Sequence, residues 1–182
     1  MNFGIGVLYG WIFVLLFGAS NLILMKVYPK HYTKRLLTLP TFTNLQEKVP
    51  SVIYALLLNL TMLMACFLPI MGGALFFVGL IIYSLSLFCV IIALRAYART
   101  EPNKPVTEGI YKLSRHPQQV FTCTMLVGIG LMLANPIIIA SGILQLFLIY
   151  PSLLVQERFC VEKYGADYIK YLSVSPRYFL IF

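Results

Sequence analysis

This sequence predicts an all-α, polytopic membrane fold: five transmembrane helices, N-terminus outside and C-terminus inside, followed by a cytoplasmic amphipathic C-terminal helix. Three observations carry that expectation. Of the 182 residues, 60% are hydrophobic and 11% charged, with a mean hydropathy of +0.86, whereas a soluble domain is about 45–50% apolar and about 25% charged. The apolar residues fall in five runs near the ~20 residues a helix needs to cross a bilayer. All 14 Lys and Arg fall in three segments that five crossings bring to one side. A soluble fold of this size has too little interior for so much apolar surface. The same composition excludes a disordered chain, a collagen-like chain and a disulfide scaffold.

The elements follow in order. Phe3 to Met25 carries no charge and forms the first span. No positive residue precedes it and it is longer than the apolar core of a signal peptide, so it reads as a membrane helix. Lys26 to Lys48 is a basic loop broken by Pro29 and Pro40, and it contains His31. Val49 to Met71, opened by Pro50 and Ser51, is the second span. Gly72-Gly73 is a tight turn, and Ala74 to Leu94 is the third span. Arg95 to Arg115 is a long polar loop.

Pro117 opens the fourth span, to about Ala134, because a proline at the first helical position forfeits only an N–H that was unpaired anyway. Asn135-Pro136 is a turn signal. Ile137 to Val155 is the fifth span, with Pro151 expected to kink it near its end. From Gln156 the tail is expected to be one helix to about Leu172. Glu157, Val161, Tyr164, Tyr168 and Leu172 fall on one stripe, with Lys163 and Lys170 opposite. That helix is expected at the membrane surface or folded under the bundle. The whole chain, 1–182, reads as a single membrane domain. Residues 1–94 form a three-helix N-terminal part, and residues 95–182 carry the loop, the helical hairpin and the tail.

The net charge of +8 reads as the positive-inside bias of a membrane protein, with no nucleic-acid partner. Between them the loops and tail on the cytoplasmic side hold every Lys and Arg, while the opposite side holds a short N-terminus and two uncharged turns. Chemistry is therefore expected on the cytoplasmic face. The four cysteines form no CxxC and read as small hydrophobes. His31 has no second ligand at metal-binding spacing, so no metal is expected. Asn59 and Gln145, inside spans two and five, read as interhelical hydrogen bonds.

Three groups of residues have chemical potential. Arg115 and His116 sit just before a helix N-terminus, whose free N–H groups and partial positive charge favour an anion, and Arg115 adds a planar donor fork. The bland alternative is a lipid-headgroup contact and a helix cap. Glu157 lies on the inward stripe of the tail, where a carboxylate needs a partner. That partner is either a cationic ligand or a rim arginine, Arg115 or Arg158. Tyr164, Tyr168, Tyr171, Tyr178 and Arg177 follow, for which an aromatic belt at the interface is the simplest reading.

Taken together, Gly109-x-Tyr111, Arg115-His116-Pro117, a short helical hairpin, Glu157, Tyr164-Gly165-x-x-Tyr168-x-x-Tyr171 and Pro176-Arg177 resemble the isoprenylcysteine carboxyl methyltransferase and phospholipid methyltransferase superfamily. Its members are integral membrane enzymes that use S-adenosylmethionine and release S-adenosylhomocysteine. The resemblance runs from about Asn103 to Arg177. It implies that Lys104, Pro105, Val106, Tyr111, His116, Pro117, Gln118, Gln119 and Glu157 bind the cofactor. It also implies that Arg115, His116 and Glu157 are catalytic and that Arg115, Tyr168 and Arg177 contact the acceptor. The acceptor would be a lipophilic or small membrane-partitioning carboxylate, amine or thiol, among membrane lipids as partners. Two positions depart from the pattern: Gln119 stands where relatives often have Tyr, and Gln156-Glu157 where they often have two acids. Membrane sterol and steroid reductases share a similar Arg-His motif, which makes an NAD(P)H-dependent reductase the alternative. A non-catalytic membrane protein is the third reading.

Overall fold

The structure is a computed structural model that describes residues 9–28, 32, 42 and 45–178. The start of the first expected span and most of the first basic loop, His31 included, lie outside those residues. Among the described residues the fold is helical, with one isolated bridge between Tyr9 and Pro69 and no strand. Seven α-helices lie fully within the described residues: α1 (Trp11–Val27), α2 (Leu45–Cys66), α3 (Ala74–Arg99), α4 (Pro117–Met132), α5 (Pro136–Leu148), α6 (Tyr150–Tyr164) and α7 (Ala166–Val174). A single 3-10 turn, Gly109–Lys112, interrupts the loop before α4.

Among the described residues, three stretches are long and apolar enough to cross a membrane: α2, α3 and the α5–α6 pair, Pro136–Tyr164. The chain is a membrane protein. α1, at 17 residues, and α4, at 16, are shorter than these three stretches. At a rise of ~1.5 Å per residue, α4 alone spans about 24 Å, short of the ~30 Å hydrocarbon layer. It lies in the middle of the protein, with most of its residues buried among the other helices.

Several boundaries differ from expectation, each for a local reason. α2 starts a turn earlier and places Pro50 inside it, where Ser51 Oγ turns back to donate to Glu47 O at 2.8 Å. It stops at Cys66 rather than Met71, because Pro69 disfavours helical backbone in the residue before it. α3 runs five residues past Leu94, since Arg95 and Arg99 carry their charges outward on long apolar stems. The fifth expected span is interrupted at Ile149, because Pro151 has no N–H to offer the carbonyl of Phe147. The tail is two helices, not one. Gly165 breaks it with φ of +57°, a left-handed conformation that other residues adopt at a cost.

The core sits between α3 and α4, the most extensive helix pair. Gly79 and Gly128 permit that approach: a Cβ on Gly79 would stand 2.6 Å from Gly128 O, and one on Gly128 would stand 2.8 Å from Tyr83 N. Without a hydrophobic drive between helices in lipid, close packing of this kind supplies the association. Tyr83 ties α1 to this pair, donating to Phe13 O at 2.7 Å. Gln145 bonds across helices as expected, donating to Thr61 Oγ1 on α2 at 3.4 Å and to Ser141 Oγ at 3.0 Å. Asn59 does not; it is exposed and donates to Ala55 O of its own helix at 2.7 Å.

The two ends of the bundle differ. At one, Gly10 N donates to Leu68 O at 3.0 Å and Met71 N to Met132 O at 3.0 Å, so the start of α1, the Gly72-Gly73 turn and the α4–α5 turn gather there. Asn135 caps α5 at that turn, accepting from Ile137 N and Ile138 N at 3.0 and 3.1 Å. At the other end, Arg158 grips both carboxylate oxygens of Glu47, one of them at 2.9 Å. Ser152 bonds Ser51 beside it at 2.7 Å, and the long loop and tail close over that end.

Candidate functional site

The site grows from one corner and one strap. The corner is Ser114, Arg115 and His116, where the loop turns into α4. Pro117 fixes the first helical φ and His116 is the N-cap residue, but no side chain caps the helix, so its first-turn N–H groups face the corner without a side-chain acceptor at the cap. The strap is Ser175 to Tyr178, after α7. Three consecutive strap carbonyls receive three donors from two corner residues. Arg115 Nε donates to Ser175 O at 2.8 Å, Arg115 N to Pro176 O at 2.9 Å, and Ser114 Oγ to Arg177 O at 2.8 Å.

Glu157, on α6, stands at the centre. Its Oε1 accepts from Arg115 Nη1 at 3.1 Å, His116 Nε2 at 3.1 Å and Arg177 Nε at 3.0 Å, and its Oε2 from Arg177 Nη2 at 2.7 Å. Glu157, His116 and Arg115 are all buried. Arg177 is the outermost of the four; its Nη1 donates to Tyr150 OH at 3.1 Å and its guanidinium lies 5.1 Å from the centre of the Tyr150 ring. Of the two rim partners expected for Glu157, Arg115 is the one engaged, and Arg158 is bound to Glu47 instead.

Burial lowers the pKa of His116 from its ordinary value. The adjacent carboxylate pulls it up, and the two arginines push it down again. The imidazole is therefore held neutral at pH 7. An ionised carboxylate only accepts, so the neutral ring keeps its proton on Nε2, facing Glu157. Two guanidiniums against one carboxylate leave the cluster with a surplus positive charge, and the α4 N-terminus adds to it.

The other expected residues form a second group beside this one. Val106, Tyr111, Tyr168 and Tyr171 are buried together with Ala93 of α3. Tyr171 OH donates to Tyr111 O at 2.6 Å, joining α7 to the 3-10 turn. Cys160 and Tyr164, a turn or two past Glu157 on α6, pack against the same group. Gln119 and Gln156, the two positions that depart from the superfamily pattern, bond each other at 3.1 Å. Pro105 and Gln118 are half-buried. Lys104 is apart: it is exposed and paired with Glu101 at 3.0 Å. Arg115, His116, Glu157 and Arg177 thus come together, Val106, Tyr111 and Tyr168 line the neighbouring group, and Lys104 stays on the surface. Ser114, the strap carbonyls and Tyr150 were not singled out by the sequence; the partners of Ser114 and Arg115 lie some sixty residues away in the chain, beyond any local pattern.

A family model described as phospholipid methyltransferase matches residues 67–167, more than half of the chain. No curated protein matches the chain.

Proposed function

This chain belongs to the phospholipid methyltransferase family, and on that premise we propose that it transfers a methyl group from S-adenosylmethionine to a lipophilic or small membrane-partitioning carboxylate, amine or thiol. The observation that carries the proposal is the charge pattern at the α4 N-terminus. S-adenosylmethionine presents a carboxylate, an ammonium and a sulfonium. The donor set of Arg115, Arg177, His116 and the α4 first turn fits a carboxylate, and Glu157 fits a cationic group. The nearby rings of Tyr111 and Tyr168 suit a sulfonium by cation–π attraction. In the empty protein these opposite charges satisfy each other.

When bound, S-adenosylmethionine supplies an electrophilic methyl group. The chain's own residues bind, orient and exclude water. Arg115, His116 and Glu157 would hold the amino-acid part, Val106, Tyr111, Pro117, Gln118 and Gln119 would surround it, and Tyr168 and Arg177 would face the acceptor. Most of the rate then comes from holding the acceptor in line with the methyl group. A carboxylate or thiolate acceptor needs no base. For an amine or thiol, Glu157 is given to the ligand's ammonium, so the base would be Nδ1 of the neutral His116 imidazole, the nitrogen turned away from Glu157.

The test is binding to detergent-solubilised protein. S-adenosylmethionine and S-adenosylhomocysteine are expected to raise the melting temperature with micromolar-range affinity, about −8 kcal/mol, and NADPH is expected to have no effect. A shift with NADPH alone would replace this reading with a reductase.

Orientation belongs to the same proposal. The chain crosses the bilayer five times, with the uncharged turns outside and the site on the cytoplasmic face. Support comes from the complete segregation of Lys and Arg and from the gathering of the turns at one end. Single cysteines at Gly73 and Asn103, in a cysteine-free background, are expected to label from opposite sides of sealed vesicles. Labelling of both from one side would refute five crossings.

A further inference from the structure

We propose that Ser114 is a positioning residue of this site: its hydroxyl clamps the terminal strap to the corner and so sets the direction of the Arg115 and His116 donors. The inference extends the cofactor reading above to a residue outside the expected set. Ser114 is fully buried. Its Oγ works in both directions, donating to Arg177 O at 2.8 Å and accepting from His116 N at 3.2 Å. One hydroxyl therefore joins the strap residue that holds both oxygens of Glu157 to the N-cap residue of α4.

The geometry makes this hydroxyl hard to replace. A hydroxyl is the smallest side-chain group that donates and accepts at once. Without it, a carbonyl and an N–H are stranded in a place closed to water, and both are released most cheaply by opening the strap. Opening moves Arg177 away from Glu157 and exposes the cluster. The two remaining bonds to strap carbonyls both come from Arg115, so the strap backbone would then be held by a single residue, with only the side chains of Arg177 and Tyr178 tying it to Glu157, Tyr150 and Leu146 O.

Two readouts test the clamp in the full detergent-solubilised chain. One is the affinity for S-adenosylmethionine. The other is the titration of His116 by 15N-histidine NMR, with His31→Gln leaving a single histidine. The groups facing His116 are Glu157, Arg115 and Arg177, and all three are reoriented if the strap opens. Ser114→Ala is expected to weaken S-adenosylmethionine about tenfold and to move the His116 midpoint up toward the ordinary 6.5. Ser114→Thr, which restores a hydroxyl, is expected to reverse both changes. Thr61→Ala removes a buried hydroxyl pair between α2 and α5, remote from the site, and is expected to lower the melting temperature without moving His116. If the alanine chain fails to fold, Ser114→Cys keeps the volume and only a weak donor, and takes the same measurements. If the unmodified chain binds no S-adenosylmethionine, the cofactor reading falls and the His116 titration alone decides on Ser114. A folded Ser114→Ala or Ser114→Cys chain in which His116 titrates as in the unmodified protein overturns the clamp.

Discussion

Glu157→Gln is expected to destabilise the empty protein by about 3 kcal/mol, the lower end of the range for removing one partner of a buried ion pair. The lower end applies because the two arginines differ. The Arg115 side chain is 7% exposed and cannot reach water without opening the strap, whereas Arg177, at 19%, can turn outward. The glutamine amide also brings two N–H donors into a place where four donors already converge. Position alone, a lone acid on an apolar stripe, predicts little change or a gain in stability if the residue serves only the ligand. The ion pairs reverse that sign. Affinity for S-adenosylmethionine is expected to fall as well, by tenfold to a hundredfold, since a charged hydrogen bond is worth about 1.5–3 kcal/mol. Melting of the empty variant and cofactor affinity should be measured side by side. An unchanged melting temperature would show that the cluster does not hold the empty protein together.

Arg115→Lys is expected to do nearly as much harm as Arg115→Ala, abolishing methyl transfer and costing the empty protein about 2–3 kcal/mol. The guanidinium makes two bonds in different directions, Nε to Ser175 O and Nη1 to Glu157 Oε1. A lysine ammonium is one point on a flexible stem and serves one of those acceptors at a time. The alanine variant loses both and leaves Glu157 with Arg177 and His116. If charge alone mattered, lysine would restore activity and stability. Full activity in the lysine variant would therefore reduce Arg115 to a counter-ion and remove the directional role given to it here.

Much of the fold was legible because the bilayer is a simple solvent. Long uncharged runs need lipid or a partner helix, so the positions of α2, α3 and the α5–α6 pair follow from where charge is missing. Pro117 and Asn135 mark their helix boundaries through chemistry confined to one or two residues, and both boundaries fall where that chemistry places them. The misplaced boundaries, the end of α2 and the break at Gly165, depend on which of several weak local signals the surroundings reinforce. A glycine within an amphipathic stripe is compatible with either a continuous or a broken helix. The break wins here because α7 is held by Tyr168 and Tyr171 packed against Val106, Tyr111 and Ala93.

The sequence by itself determined that this protein belongs in a membrane, that its cations gather in three segments, and that Arg115, His116, Glu157 and Arg177 are chemically conspicuous. Each of these follows from composition or from the cost of an unpaired polar group in an apolar run, and neither needs coordinates. Only the tertiary structure decided that Glu157 is shared by both arginines and the histidine while Arg158 is drawn off to Glu47, that Lys104 stays on the surface, and that Ser114 clasps the strap. The sharing of Glu157, the capture of Arg158 and the Ser114 clasp depend on contacts between residues 20 to 111 positions apart in the chain. Hydrogen bonds act over about 3 Å and only in certain directions, so a linear pattern records which groups need partners, and the packing of α3, α4 and α6 with the strap selects which partners they get.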